Sequence, residues 1–312
     1  MKVSKEIEKI NNTIKKINVN ITKNGNSQQN NMIINEMNNQ INKMNKQYNT
    51  NIENVRNIQL NRKDLFKPIG ILDPEGKDLN PLTGEQYQNL YKTNNESSKS
   101  YQEWAKIWSH FPMYEKKEEA LEKMYDNQVT LIVSGTGSGK TVLTPKLLLH
   151  LLNYQGKIAI TNPKRVPTKE NAIFAAKTLD VKLGEYVGYK YRGSEPSAYD
   201  RVKTKLVYCT DGLVMANLRR DPMLSQYDAV IIDEAHERNI NIDLLLLLLR
   251  DLVMRRPDFK LIIMSATVNE KIFSDYFPKP FKFAILNAGE KPHFEVKEYF
   301  LEKPVTKFKD GV

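Results

Sequence analysis

Apolar residues follow two rhythms along this chain. Short apolar runs, rich in β-branched residues, alternate with longer stretches in which apolar positions recur every three or four residues. The short runs over 129–133, 157–161, 206–209, 228–232 and 260–264 predict strands. The longer stretches over 141–152, 169–179, 211–219, 242–255 and 269–276 predict helices, and Pro257 closes the fourth of them. A further helix over 115–126 leads into the first strand. Strand and helix in strict alternation predict an α/β fold, a parallel sheet with helices on both faces. Ligands of such sheets bind beyond the carboxyl ends of the strands. The runs at 282–286 and 294–300 read as strands leading out of the domain. The leucine run 244–249 lies between Asp243 and Arg250. It is far too short to span a bilayer, which takes about 20 residues, and reads as a buried helix.

The chain before the first strand has a different texture. Residues 1–62 are dense in Asn, Lys and Gln. Yet Ile7, Ile10, Ile14 and Ile17, then Met37, Ile41, Met44 and Tyr48, recur at heptad-like spacing. The composition predicts a partly disordered extension. The spacing would instead make a weak coiled-coil arm, broken at Asn24-Gly25-Asn26-Ser27. Residues 63–112 carry turn chemistry at Asp73-Pro74-Glu75-Gly76 and Asn80-Pro81-Leu82-Thr83-Gly84. Short helices are expected there at 87–91 and 101–108. Trp104 and Trp108 stand four apart on one helical face and read as a packing edge. The expected division is an extension at 1–62, a connecting segment at 63–112, a compact domain at 113–288, and an exit segment at 289–312.

Charge and cysteine content narrow the partners. The chain of 312 residues carries a formal charge of +10, which points to a polyanionic partner. Its single cysteine, Cys209, excludes an internal disulfide and fits a reducing, intracellular compartment. Because Cys209 sits in the apolar run Leu206-Val207-Tyr208-Cys209, it reads as a core thiol. No secretory signal opens the sequence and no segment reads as a membrane span.

The chemistry gathers at the predicted strand ends. After the strand at 129–133 come Ser134-Gly135-Thr136-Gly137-Ser138-Gly139-Lys140-Thr141 and then a helix. Strand, glycine-rich loop, Gly-Lys-Thr and helix is the context of a phosphate-binding P-loop. Backbone N–H groups of such a loop surround an anion at a helix N-terminus. Lys140 would reach the β and γ phosphates of ATP, and Thr141 would place its hydroxyl on Mg²⁺. Ser134 stands where the signature wants its first glycine. The strand at 228–232 delivers Asp233-Glu234-Ala235-His236. In this Walker B position Asp233 would hold Mg²⁺, and Glu234 would orient and polarise the attacking water. The next strand delivers Ser265-Ala266-Thr267, whose hydroxyls are expected to bond the Asp233 loop, with His236 in the same network.

These blocks, in this order, resemble the DEAH-box RNA helicases, nearest the group acting in pre-mRNA splicing and ribosome biogenesis. The resemblance runs from about residue 80 to about residue 300. It includes Asn162-Pro163-Lys164-Arg165-Val166, Val187-Gly188-Tyr189-Lys190-Tyr191-Arg192 and Thr210-Asp211-Gly212-Leu213. It implies a RecA-like ATP-binding domain that acts on single-stranded RNA. It also implies sequence-independent RNA contacts at Thr161, Pro163, Arg165, Thr210 and Asp211. Where relatives carry an arginine against the adenine, this chain has Ile173-Phe174, and Phe174 would stack on the base. Relatives also have a second RecA-like domain with arginine fingers; no Gln-Arg-x-Gly-Arg-type block follows Thr267. The expected function is therefore the ATP-binding half of an RNA helicase, completed by a second domain. The alternative is an RNA- or protein-binding module that keeps the fold with weak turnover. The asparagine-rich extension points to an AT-rich genome, such as that of a large virus or a protist.

Overall fold

The computed structural model describes residues 35, 39, 58–67, 71–72, 98–267 and 270–289. The expected helix at 87–91, the strand at 294–300 and nearly all of the N-terminal extension lie outside the described residues. Seven strands form one sheet: β1 (Val129–Ser134), β2 (Ile158–Asn162), β3 (Val187–Lys190), β4 (Leu206–Thr210), β5 (Ala229–Ile232), β6 (Lys260–Ser265) and β7 (Phe283–Gly289). Their spatial order is β3-β4-β2-β5-β6-β1-β7. Every adjacent pair is parallel. All carboxyl ends therefore line one rim.

The helices around the sheet, among residues 98–289, are α1 (Lys99–Trp108), α2 (Pro112–Glu115), α3 (Lys117–Asp126), α4 (Lys140–Leu151), α5 (Arg165–Lys177), α6 (Asp211–Arg220), α7 (Ile240–Arg255) and α8 (Glu270–Tyr276). The inner strands are buried on both faces, and their side chains alternate between two cores. Ile132, Ile160, Tyr208, Ile231 and Met264 enter one, together with Leu143 and Leu147 of α4 and Trp108 of α1. Leu131, Ala159, Val207, Val230 and Ile263 enter the other, with Val214 of α6 and Leu245 and Leu249 of α7. This period of two explains why the strand runs are continuously apolar.

Several elements differ from their sequence reading. The helix expected over 115–126 is α3, which starts at Lys117: Glu115 ends the short α2, and Lys116 between them leaves the helical region at φ −94°, ψ 11°. Helix α5 begins at Arg165, four residues before the expected start at 169. Its Pro167 is tolerated in the first turn, where no intrahelical N–H partner is needed. Strand β3 was not expected; it is only four residues long and contains Gly188. The segment at 282–286 does not leave the domain. It forms β7, the edge strand beside β1, in register from Val129↔Phe283. The leucine run is only half-buried. A helix has one face toward the sheet, so six consecutive leucines cannot all be covered. Leu245, Leu246 and Leu249 are buried, whereas Ile240, Leu244, Leu247 and Leu248 are exposed.

Two expectations for side chains hold. Cys209 is fully buried, and burial pushes its thiol well above the ordinary range. Trp108 is fully buried, and Trp104 meets Phe174 edge-on at 4.9 Å between centroids. Trp108 lies under Lys146 of α4, whose Nζ is 4.8 Å from the ring centroid and donates to the Thr178 carbonyl at 2.9 Å. Among the described residues, no helix is long and apolar enough to cross a membrane.

Candidate functional site

The rim above β1, β6 and β5 collects the first set of candidate residues. Strand β1 ends at Ser134, and the chain turns through Gly135, Thr136, Gly137 and Ser138 into α4. Gly137 (φ 81°) and Gly139 (φ 86°) take left-handed conformations that suit glycine. Gly139 is the N-cap of α4, so the first free N–H groups of that helix open onto the loop. Lys140 is almost fully buried at the start of the helix.

Ser134, the departure from the signature, has a local explanation. Its hydroxyl lies 2.6 Å from that of Ser138, and both residues are buried. The side chain that replaces the first glycine thus bridges the loop from within. Ser134→Ala should leave the Ser138 hydroxyl buried without this partner, at a cost of about 1–2 kcal/mol. A urea melt of the variant reads this directly; an unchanged midpoint and slope would show that the bridge contributes nothing.

Strand β5 lies two places from β1, with β6 between them. Its end carries Asp233, which is buried and accepts from the Thr141 hydroxyl at 3.0 Å. This bond joins the glycine-rich loop to the acidic loop. Burial pushes the Asp233 carboxyl up to about 6, and the charge of Glu234 adds to the rise. The Thr141 hydrogen bond and the charge of Lys140 oppose it. A buried carboxylate crowded by another carboxylate is a place where a cation is favoured. Its hard oxygen, with the Thr141 hydroxyl beside it, is the donor set that Mg²⁺ takes. Among the described residues no cluster of three or more His, Cys, Asp and Glu could hold a metal by itself. The fit is to an ion that takes its remaining ligands from phosphate and water.

Glu234 is held in the left-handed region at φ 55°, ψ 39°. For a non-glycine residue this conformation costs about 1–3 kcal/mol and is concentrated at functional positions. It turns Glu234 away from the path of β5. His236 then closes a short chain of contacts. Its Nδ1 accepts from the Ala266 N–H at 3.3 Å, so a neutral ring carries its proton on Nε2. That nitrogen lies 3.3 Å from Oε2 of Glu234. The link between the acidic loop and the β6 end therefore differs from expectation. It uses the backbone of Ala266, whereas the Ser265 hydroxyl turns to the Thr267 carbonyl at 3.0 Å. A hydroxyl at a strand end satisfies a nearby carbonyl before it can reach across a loop. Arg238, two residues past His236 in sequence, pairs with Asp243 through Nε at 2.8 Å and Nη2 at 3.2 Å.

The second set lies over β2 and β4, next to β5. Asn162 and Thr210 stand opposite one another at the ends of these strands. Arg165 is exposed at the start of α5, with its guanidinium carbon 6.0 Å from the Tyr191 ring centroid. Pro163 and Thr210 are half-exposed. Thr210 occupies the N-cap of α6 without a side-chain capping bond. Thr161 and Asp211 are buried beneath these residues. Burial raises the Asp211 carboxyl; the Thr161 hydroxyl is near enough to oppose that rise. Neither Thr161 Oγ1 nor Asp211 Oδ1 makes a fully formed hydrogen bond. The two sets are physically connected. Asp233 N–H donates to the Thr161 carbonyl at 3.2 Å, and Lys164 pairs with Glu237 at 3.1 Å. Sequence spacing could not have shown the Lys164–Glu237 pair, because 73 residues separate its members.

Phe174 lies farther along α5, away from the strand ends, with its ring against Trp104. All other candidates fall on the rim.

The chain is 45% identical over 247 residues to L540 of Acanthamoeba polyphaga mimivirus, covering 78% of this chain and 34% of the relative. It is 43% identical over 167 residues to HrpA of Borreliella burgdorferi, covering 53% and 20%. It is 36% identical over 212 residues to DHR2 of Saccharomyces cerevisiae, covering 66% and 28%. Each of the three is named as an ATP-dependent RNA helicase. The chain thus spans about a third or less of the length of these relatives. The family model for DEAD/DEAH box helicases matches residues 114–274, the stretch from the helices before the glycine-rich loop to the helix after β6. With that match laid over a parallel sheet whose phosphate loop and acidic loop share one hydrogen bond, the chain belongs to the DEAD/DEAH box helicase family.

Proposed function

We propose that this chain is the ATP-binding, RecA-like half of an intracellular DEAH-box RNA helicase. The observation that carries this reading is the Thr141–Asp233 hydrogen bond. It joins the phosphate loop and the acidic loop at one point, where a nucleotide's β and γ phosphates would lie.

The loop from Gly135 to Thr141 would bind the phosphate chain through backbone N–H groups, and Lys140 would sit against the β and γ phosphates. Thr141 and Asp233 would hold Mg²⁺, which when bound neutralises charge on the phosphate oxygens. Glu234 would orient the attacking water and accept its proton. His236 positions Glu234 from one side and is itself positioned by Ala266. The Ala266 N–H joins the acidic loop to the end of β6, and Ser265 and Thr267, whose own hydrogen bond spans Ala266, would couple that link to the sheet. Near Phe174 the family resemblance would put a residue against the base, and Phe174 would stack there if the base reaches this part of α5. Its edge-on contact with Trp104 supports an aromatic surface there.

RNA would cross the β2 and β4 ends. Arg165 supplies an exposed cation, and Pro163 and Thr210 supply accessible surface. Thr161 and Asp211 would act from beneath, by shaping the loop that meets the strand. The Lys164–Glu237 pair and the Asp233–Thr161 bond give the RNA side a route to the ATP side. Unwinding would need a second RecA-like domain, covalent or separate, closing on this face.

The test is RNA binding by the chain itself. Affinity for single-stranded RNA should be weak and nearly indifferent to sequence. With about three phosphates neutralised, it should fall roughly tenfold or more between 50 and 200 mM salt. Fluorescence anisotropy with two unrelated oligonucleotides measures both properties. A flat salt response would contradict a backbone-tracking RNA site.

A further inference from the structure

The glycine-rich loop is supported by residues that its signature does not include. Helix α1 ends at Trp108, the chain turns, and α2 begins at Pro112. Trp108 is pinned beneath Lys146 of α4, and Pro112 fixes the backbone at the first position of α2. Between them, Phe111 is extended (φ −71°, ψ 143°), and its side chain lies against Gly139. A β-carbon built on Gly139 would overlap the Phe111 ring, with Cβ and Cγ of Phe111 only 2.8 Å away. Two residues further on, the Met113 N–H donates to the Ser138 carbonyl at 3.0 Å. The peptide between Ser138 and Gly139 is thus held through its carbonyl by Met113 and covered at Gly139 by Phe111.

This peptide sets how the loop presents itself. Gly139 has the left-handed conformation that turns the loop into α4, with no side-chain cap to stabilise it. Without a restraint, glycine samples both signs of φ readily. The N–H groups of Gly139 and Lys140 would then spend part of their time directed away from a bound phosphate. A site that is already in its binding shape avoids that ordering cost.

We propose that Phe111 is a positioning residue for nucleotide binding: together with the Met113 backbone, it holds the Ser138–Gly139 peptide in its phosphate-accepting orientation. It acts through Gly139. The inference rests on the nucleotide reading of the loop given above.

Two measurements test it on the full 312-residue chain. The first is titration with a fluorescent ADP analogue in the presence of magnesium. Phe111→Ala should bind about tenfold more weakly than wild type, and Phe111→Leu, which keeps part of the apolar cover, about threefold more weakly. Met124→Ala removes a fully buried side chain from the same core without touching the loop. It should lower the melting temperature yet bind within about twofold of wild type, which a purely structural role for Phe111 would also predict for Phe111→Ala. The second is amide hydrogen exchange without nucleotide. In the Phe111 variants the amides of Ser138, Gly139 and Lys140 should exchange about tenfold faster, while those of β5 keep their protection.

Wild-type affinity in a folded Phe111→Ala, with unchanged exchange at the loop, would overturn the proposal. Should Phe111→Ala not fold, Phe111→Leu decides the matter by the same two readings. Should wild type itself bind no nucleotide, or Lys140→Ala bind as well as wild type, the nucleotide reading fails instead. The exchange measurement then still decides whether Phe111 positions the loop.

Discussion

Lys140→Ala should bind ATP roughly 10²-fold more weakly than wild type. Lys140 is almost fully buried at the first position of α4, on the rim where the phosphate loop and Asp233 meet. With nucleotide bound, Lys140 would pair with a phosphate; removing one partner of such a buried charge pair costs about 2–5 kcal/mol, and each 1.4 kcal/mol is a factor of ten. A second consequence separates this loss from a folding defect. The charge of Lys140 helps to hold the Asp233 carboxyl down against burial and against Glu234. Without it, Asp233 ionises less readily, and binding should recover only partly at high magnesium. Calorimetric titration of both proteins with ATP and magnesium gives the answer. Equal affinities would remove the phosphate-binding assignment, because no other described cation occupies this start of the helix.

Glu234→Gln should slow ATP hydrolysis by about 10²–10⁴-fold while leaving ATP bound. The amide keeps the shape and can still accept from Nε2 of His236, so the loop geometry survives. What it loses is the basicity that a water-activating group requires. The substitution also removes the carboxylate charge that helps to raise Asp233, so affinity for ATP with magnesium should stay level or tighten slightly. The wild-type rate against which this is read should itself be slow. Arg238, the arginine that follows the acidic loop, has its guanidinium committed to Asp243 by two hydrogen bonds. An arginine finger contributes about 10³–10⁵ in rate in phosphoryl-transfer enzymes that use one. Adding a matching second domain should therefore raise the rate, and Glu234→Gln should cancel that gain. Single-turnover phosphate release and duplex unwinding are the readouts. Wild-type turnover by Glu234→Gln would take the catalytic role from this residue. Robust unwinding by the 312-residue chain alone would place its catalytic parts elsewhere.

The sequence carried the sheet and most of its helices because their signals are local. A short apolar run of three to five residues, rich in β-branched side chains and flanked by helical stretches, reads as a buried strand, and the structure has strands at each such run: β1, β2, β4, β5 and β6. The glycine-rich loop and the acidic strand end were legible for the same reason. Their chemistry depends on which residues follow a strand immediately, and the chain order states that directly. Weak or ambiguous local signals leave an element out or misplace it. Strand β3 is four residues long and carries a glycine, and β7 reads like an exit strand until its partner is known.

What the sequence by itself determined is the set of strand ends and the residues they deliver: Ser134 through Thr141, Asp233 through His236, Ser265 through Thr267, and Thr210 with Asp211. What only the tertiary structure decided is which of these ends are neighbours and which side chains meet. The order β4-β2-β5-β6-β1 puts the Thr210 end beside the Asn162 end and the Asp233 end between β2 and β6. It makes Thr141 a partner of Asp233 across 92 residues, and His236 a partner of Ala266 across 30. It also sends Phe111 onto Gly139 and turns half of a leucine run outward. The physical reason is common to all of these. Periodicity reports which face of an element is buried, but it carries no information on which other element covers that face. That choice is made by packing two helical layers onto one twisted sheet, and it is settled only when the whole sheet is assembled.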